Sequence, residues 1–241
     1  MIILEIYIVT GASKGIGEEL YEQLEKSGAT VIGIARSNPK GYGKFTEVDL
    51  TSREARQGLM ERLLTPYLET ADAFTLINNA GTVEPVGKVG TLSVDALQQA
   101  IELNLTAPIE LANEFINVLS NTKAKKQIIN ISSGAGRNAY EGWGIYCTTK
   151  AGLDQFSKVV RLEQDRVDHP VGIVSIAPGI IDTGMQETIR SSDISGFPML
   201  EQFINYKDEG KLRSAEATAQ LLIEWMEKED LASAEVLARL S

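Results

Sequence analysis

Seven tyrosines occur in the sequence, and only Tyr146 has a lysine four residues further on, Lys150. On a helix that spacing puts both side chains on one face, one turn apart. A free phenol has a pKa of about 10, so alone it is a poor base at neutral pH. A neighbouring ammonium favours the phenolate and is expected to lower that value. In the reducing direction the same hydroxyl protonates a carbonyl oxygen as hydride reaches the carbon, which is positioned general acid catalysis. Ser133 stands thirteen residues before Tyr146, just past the run Ile128-Ile129-Asn130-Ile131-Ser132. Its hydroxyl can hydrogen-bond the substrate oxygen where negative charge develops. Taken singly, a Tyr-Lys pair is more often a solvated helix face, and a serine pair a polar strand end. Together they describe the interconversion of a carbonyl and an alcohol, which requires a hydride carrier.

A place for that carrier is marked upstream, where Thr10-Gly11-Ala12-Ser13-Lys14-Gly15-Ile16-Gly17 joins the first β-branched run to the first helical one. Gly11, Gly15 and Gly17, with Ser13, Lys14 and Ile16 between them, let the backbone turn tightly and approach a pyrophosphate. Free amides and the positive end of the helix stabilise its charge. The spacing is Gly-x-x-x-Gly-x-Gly rather than the commoner Gly-x-Gly-x-x-Gly, and its position directly after a strand makes it a dinucleotide signal. In such folds an acid after the second strand takes a ribose 2′-hydroxyl, whereas a nearby arginine accommodates a 2′-phosphate. Here that strand ends Ile34-Ala35-Arg36-Ser37, without an acid. Arg36, followed by Ser37 and joined by Lys14, therefore predicts NADP(H) over NAD(H).

These groups need a rigid sheet to hold them. Short β-branched runs, Ile6 to Thr10, Thr30 to Ala35, Lys44 to Val48, Phe74 to Asn78, Gln127 to Ser132 and Gly172 to Ala177, read as strands. The apolar start from Met1 to Val9 belongs to the first of them. Amphipathic stretches lie between: Gly17 to Lys26, closed by Gly28, then Arg53 to Leu68, Val94 to Leu119 and Tyr146 to Val167. Strand and helix in alternation predict an α/β fold: one doubly wound Rossmann domain over residues 1–241, with a parallel sheet and helices on both faces. The segment Gly184 to Gly210 departs from the alternation and carries Met185, Met199, Phe197 and Phe203 among polar residues. Placed after a strand end, it reads as a lid, and with Trp143 it predicts an apolar pocket that accepts aromatic substrates.

With 33 acidic against 23 basic residues, the chain carries a formal charge of −10. Its field repels phosphate backbones and anionic lipid, which argues against nucleic-acid and membrane-surface roles. No run of 18 apolar residues occurs, as a membrane span would require, and the start lacks a basic leader. Cys147 is the one cysteine, so no intrachain disulfide is expected and the cytoplasm is the expected compartment. His169 has no second histidine or cysteine beside it, and no metal site is expected.

With Thr10-Gly11 to Gly17, Asp49-Leu50, Asn78-Asn79-Ala80-Gly81, Asn104, Ser133, Tyr146 with Lys150, and Pro178-Gly179 with Thr183, the sequence resembles the short-chain dehydrogenase/reductase family over nearly its whole length. The stretch Gly142 to Ala151 looks most like the group of sepiapterin reductases and bacterial benzil reductases. The resemblance implies that Asp49 and Leu50 border the adenine, that Asn78, Asn79, Ala80 and Gly81 wall the adenosine side, and that Asn104 holds a water relaying protons to Lys150. It also implies that Ile181 and Thr183, after Pro178 and Gly179, hold the nicotinamide carboxamide and a neighbouring phosphate. It further implies a homodimer paired through the helices that begin at Val94 and Tyr146, with Leu103, Ile109, Leu111, Phe156, Val159 and Val160 as the apolar candidates. The closing stretch Ser233 to Ser241 departs from the family's Asp-Gly-Gly strand, which puts the usual tetrameric contact in doubt. The expected activity is NADPH-dependent reduction of a ketone or diketone, benzil-like or sepiapterin-like, with a small carbonyl compound as partner. The alternatives are an NADP-dependent alcohol dehydrogenase, a 3-oxoacyl carrier-protein reductase, and a non-catalytic NADP(H) sensor, which would be expected to lose Ser133, Tyr146 or Lys150.

Overall fold

The computed structural model describes residues 3–240, so Met1 and Ile2 of the predicted first strand lie outside the described residues. The elements in order are β1 (Glu5–Thr10), α1 (Gly15–Lys26), β2 (Thr30–Ala35), β3 (Phe45–Glu47), α2 (Arg53–Arg56), α3 (Leu59–Leu64), β4 (Ala73–Asn78), α4 (Val94–Ile101), α5 (Ala107–Val118), β5 (Lys125–Ile131) and α6 (Gly144–Gln164). They continue with β6 (Val171–Ala177), β7 (Ile181–Asp182), α7 (Gly184–Arg190), α8 (Leu200–Asp208), β8 (Arg213–Ser214), α9 (Ala215–Lys228) and β9 (Leu237–Arg239). Seven strands make one parallel sheet in the order β3-β2-β1-β4-β5-β6-β9, and β7 pairs with β8 apart from it. This is the predicted Rossmann architecture. The strand order reverses between β1 and β4, which opens a crevice beyond their carboxyl ends.

Period-two alternation fills both faces of the sheet. Ile6, Ile8, Ile32, Ile34 and Ile173 pack toward Leu111 and Phe115 of α5 and Val160 of α6. Val9, Val31, Val174 and Ile176 point the other way, to Leu20 and Leu24 of α1 and Leu222 and Met226 of α9. Each such burial stabilises the fold by about 1.5–3 kcal/mol, and the strand ends that carry the site are correspondingly rigid. Gly28, at φ 96°, closes α1 as expected: its N–H donates to Glu25 O at 3.0 Å and the Ala29 N–H to Leu24 O at 3.2 Å.

The structure departs from the sequence reading in four places. The helix expected from Arg53 to Leu68 is broken at Gly58, which takes φ 65°, and ends in a 3-10 turn at Thr65–Tyr67. The helix expected from Val94 to Leu119 contains a π-turn, Glu102–Thr106, ahead of Pro108, whose missing N–H breaks the regular ladder. A seventh strand, β9, adds to β6 with Leu237 opposite Ser175. Leu111 and Val160 are core residues, 1% and 4% exposed, and so are unavailable for pairing helices between subunits; Leu103 and Phe156 also pack against the core. Of the expected residues Val159 is exposed, and Val94, Ile101 and Leu162 add to the apolar surface of these helices. No helix among the described residues is long and apolar enough to cross a membrane.

Candidate active site

The glycine turn at the end of β1 is built around two left-handed residues, Gly11 at φ 69° and Gly15 at φ 61°. Gly11 donates to Ile34 O at 2.7 Å, which anchors the turn to β2. A Cβ on Gly17 would fall 2.3 Å from Gly11 O and 2.5 Å from Asn79 Nδ2, so this glycine lets the helix close on the turn and does not line the cleft. Thr10 Oγ1 accepts from the N–H groups of Asn79 (2.9 Å) and Ala80 (3.0 Å), and Asn79 Nδ2 donates to Thr10 O at 2.9 Å, bolting the end of β4 to the turn. Asn78 lies behind, donating to Asn130 Oδ1 at 2.9 Å. Lys14 precedes α1 without a side-chain cap, so the first helical amides are left for an acceptor from outside. That bare cradle fits a pyrophosphate.

From the turn the cleft runs past Ser13, Lys14, Ile16, Arg36, Ser37, Asp49 and Leu50. Asp49 Oδ1 accepts from Thr51 N (2.9 Å) and Thr51 Oγ1 (2.8 Å). Those bonds, with Arg36 nearby, hold its carboxyl below the ordinary range. Leu50 is fixed by Arg56, which sequence reading missed. This buried guanidinium donates to Leu50 O at 2.6 Å and pairs with Glu110 (2.6 Å) and Glu102 (2.9 Å), partners distant in sequence that only the fold brings together.

Beyond Ala80 and Gly81 the cleft reaches the residues with chemistry. Ser133 follows β5, and its oxygen accepts from Ala135 N at 3.1 Å in the turn Gly134–Gly136, leaving the hydroxyl proton to donate. Tyr146 lies in the first turn of α6 and is 8% exposed. Burial raises its phenol above the ordinary value, and the Ser133 hydroxyl opposes that only in part. The lowering expected from Lys150 is not seen: the one group that lowers the phenol is Ser133, and burial outweighs it. Lys150, 4% exposed, donates from Nζ to Ile131 O at 2.7 Å and sits 5.8 Å from the centre of the Tyr146 ring. Burial brings its ammonium down to about 8, against the opposing charge of Asp154. The π-turn in the α4–α5 helix carries the buried Asn104, whose Oδ1 accepts from Thr82 N and whose Nδ2 donates to Thr82 O, both at 2.8 Å. A Cβ on Gly81 would lie 3.1 Å from Asn104 Oδ1 and 3.6 Å from Lys150 Nζ, so Asn104 stands behind Gly81 near the lysine, set back from the cleft.

Around Tyr146 the walls are aromatic. Trp143 stacks on Phe197 at 4.8 Å between ring centres, meets Phe203 edge-on at 5.2 Å, and lies 5.6 Å from the Tyr146 ring. Met185, Met199 and Phe203 line the cleft as expected, but Phe197 is fully buried behind Trp143 and props the indole instead of facing the cavity. Pro178, Gly179, Ile181 and Thr183 complete the wall before α7. Ile189 and Tyr206, apolar residues of the expected lid, also line this end, together with Tyr140, Gln186 and Gln202, which carried no sequence signal of their own. Cys147 is a partly buried packing residue at the edge of the aromatic cluster. The whole cleft encloses about 940 Å³, enough for a dinucleotide beside a small substrate. The arrangement can donate a proton from Tyr146 and a hydrogen bond from Ser133 to one oxygen, with a buried cation behind them.

Comparison with known proteins agrees with this chemistry. The family described as short chain dehydrogenase matches residues 5–194. A benzil reductase of Bacillus subtilis that forms (S)-benzoin is 39% identical over 229 residues, 93% of this chain and 94% of that protein. The sepiapterin reductase of Rattus norvegicus is 30% identical over 251 residues, 95% of this chain and 93% of that one. Among solved structures, the KRED1-Pglu enzyme superposes with a TM-score of 0.77 at 27% identity, covering 94% of this chain and 96% of its own.

Proposed function

We propose that this chain, which belongs to the short chain dehydrogenase family, uses NADPH to reduce aromatic ketones or diketones of the benzil or sepiapterin kind. As a member it is an oxidoreductase of carbonyl compounds that works with a nicotinamide cofactor. One observation carries the finer reading: Ser133, Tyr146 and Lys150 meet at the aromatic end of a cleft that continues unbroken to the glycine turn and Arg36. Two relatives that align over nearly their whole length are named for reducing benzil and sepiapterin.

In this reading Gly11, Ser13, Gly15 and Ile16 offer backbone to a pyrophosphate, Asp49 and Leu50 face the adenine, and Ile181 and Thr183 face the nicotinamide. When bound, the nicotinamide supplies the hydride. Tyr146 gives its proton to the substrate oxygen while Ser133 donates a hydrogen bond to the same atom, so that the charge developing there is met from two sides. The raised phenol suits the reducing direction because it keeps the proton at neutral pH until the oxygen becomes basic. Lys150 steadies the phenolate that remains, holds the ribose and passes a proton back to Tyr146, and Asn104 positions a water through which Lys150 regains that proton. Trp143, Met185, Met199 and Phe203 clamp an aryl group and keep bulk water from the reacting carbon.

Arg36, Ser37 and Lys14 support NADPH over NADH as the cations and hydroxyl beside the ribose. An acidic carrier-protein partner is disfavoured, since Lys207 is paired with Asp182 and Lys211 with Glu209. Exposed Val94, Ile101, Val159 and Leu162 support a homodimer through α4 and α6, and a single cysteine suits the cytoplasm. The test is a panel of benzil, sepiapterin, acetoacetyl thioesters and small aliphatic ketones, assayed by loss of NADPH absorbance with product identification. Turnover of the aryl diketone or pterin above the others is the expected result; preference for the thioester or for acetone-sized ketones would overturn it.

A further inference from the structure

We infer that Asp154 is a positioning residue for this reaction: its carboxylate fastens the turn of α6 that carries Lys150 to strands β6 and β9, and it sets a negative charge one turn from that lysine on the same face of the helix. The inference rests on the reading of Tyr146 and Lys150 as the reacting pair. Asp154 lies one helical turn past Lys150, is 4% exposed, and does not line the cleft, so it acts through another group. Its Oδ1 accepts from Ser175 Oγ in β6 at 2.6 Å, and its Oδ2 from Arg137 Nε at 3.3 Å. Arg137 follows the turn that Ser133 opens, and its Nη2 donates onward to Ser175 O at 3.3 Å and to Ala238 O in β9 at 3.0 Å. One carboxylate therefore ties together the catalytic helix, the turn after Ser133 and the last strand. The fit is close, because a Cβ on Gly136 would lie 2.9 Å from the Lys150 carbonyl carbon and 3.0 Å from Asp154 Oδ2.

The pair with Arg137 adds little to stability, because Asp154 is buried while the guanidinium stays partly in solvent, where its attraction is screened. Its retention here has a second use. Lys150 is a nearly buried cation whose direct partner is a neutral carbonyl, Ile131 O. Among the described residues, the groups facing it are Tyr146 and Asp154 from its own helix, Asn104 behind Gly81, and the Ile131 carbonyl. Asp154 is the one carboxylate among them, and low polarity strengthens its effect. Against the Asp154 carboxylate lie Arg137 from the turn and the neutral Ser175 from β6; Lys150 stands one turn before it and Lys158 one turn after it on α6, and Arg137, Lys158 and Arg239 of β9 are exposed.

The test is Asp154→Asn, read by NMR titration of the Lys150 side chain, assigned with Lys150→Met, and by the pH profile of carbonyl reduction. Losing an opposite charge disfavours the ammonium, so its titration midpoint should fall by about one pH unit. Turnover should then nearly match wild type at about pH 6 and lie about fivefold below it at about pH 8, where a one-unit fall leaves about a fifth as much charged lysine. Asp154→Asn also strands Arg137, so Asp154→Asn/Arg137→Gln is made in parallel; it should keep the lowered midpoint, while Arg137→Gln alone should not lower it. An unchanged midpoint in a folded variant, or a loss of rate equal at every pH, would make the carboxylate a structural tie only and overturn the inference. Failure of both Asp154 variants to fold would do the same. The titration needs no turnover, so it stands even if the proposed substrates are wrong.

Discussion

Lys150 holds its ammonium 5.8 Å from the centre of the Tyr146 ring, one helical turn away, while both side chains are buried. Burial pushes the phenol up and the ammonium down to about 8, so at neutral pH a protonated tyrosine stands beside a charged lysine. The reduction rate should then be level between about pH 6 and 7 and decline as pH rises through about 8, where Lys150 loses its proton and no longer steadies the phenolate. The raised phenol stays protonated over that range and adds no limb of its own. A kcat profile rising through pH 8 would contradict this assignment.

The same burial carries a cost in stability. Lys150 ionises near 10.5 when unfolded and about 8 when folded, so the unfolded chain binds its proton more tightly. Native stability is therefore penalised in full below pH 8, and the penalty is relieved as pH rises from 8 toward 10.5. The shift corresponds to roughly 3 kcal/mol, and the hydrogen bond to Ile131 O returns about 1 kcal/mol. Lys150→Met should abolish turnover yet raise Tm by about 4 °C or more at neutral pH. A variant both inactive and less stable would show that Lys150 is chiefly a structural tie.

What sequence made legible follows from how local each signal is. Gly11 to Gly17, Arg36 and the Tyr146–Lys150 spacing are short-range patterns, and the structure brings them to one cleft. The helical periodicity around Gly58 and Pro108 runs on without a break, and only the packing turns one into a left-handed stop and sets a π-turn before the other. β9 takes its pairing from β6, which lies far upstream in the chain, so Leu237-Ala238-Arg239 has no period of its own to read. Arg56 and Asp154 are buried charges whose partners come from other elements, and from sequence both pass for solvated helix positions. Phe197 failed differently: an aromatic in the lid was correctly placed near the pocket, but the stacking of Trp143 put it one layer behind.

Cofactor choice should respond to Arg36. A 2′-phosphate brings nearly two charges into a chain at −10, and each charge-assisted hydrogen bond contributes roughly 1.5–3 kcal/mol. Arg36→Ala should weaken NADPH by about one to two decades and leave NADH nearly unchanged. Arg36→Asp should reverse the preference, because the carboxylate repels the phosphate and accepts the free 2′-hydroxyl. The ratio of kcat/KM for the two cofactors reads both variants; a wild type that prefers NADH would refute the assignment.

Phe203 tests the aromatic pocket. It meets Trp143 edge-on at 5.2 Å and Tyr206 at 5.6 Å, so Phe203→Ala removes one wall without touching Tyr146. KM for an aryl diketone should rise about tenfold, and that for a small aliphatic ketone should change little. Equal losses for both substrates would indicate a collapsed site instead.

The most direct measurement is benzil reduction by wild type and Tyr146→Phe side by side, following NADPH loss and the hydroxyketone formed. The phenylalanine ring preserves packing against Trp143 but has no proton to give. Wild type should convert benzil to benzoin with one NADPH consumed per product, and Tyr146→Phe should be slower by about a hundredfold or more while still binding NADPH in a fluorescence titration. Undiminished turnover in Tyr146→Phe, or no reduction of benzil or any other aryl carbonyl by a wild type that binds NADPH, would contradict the account.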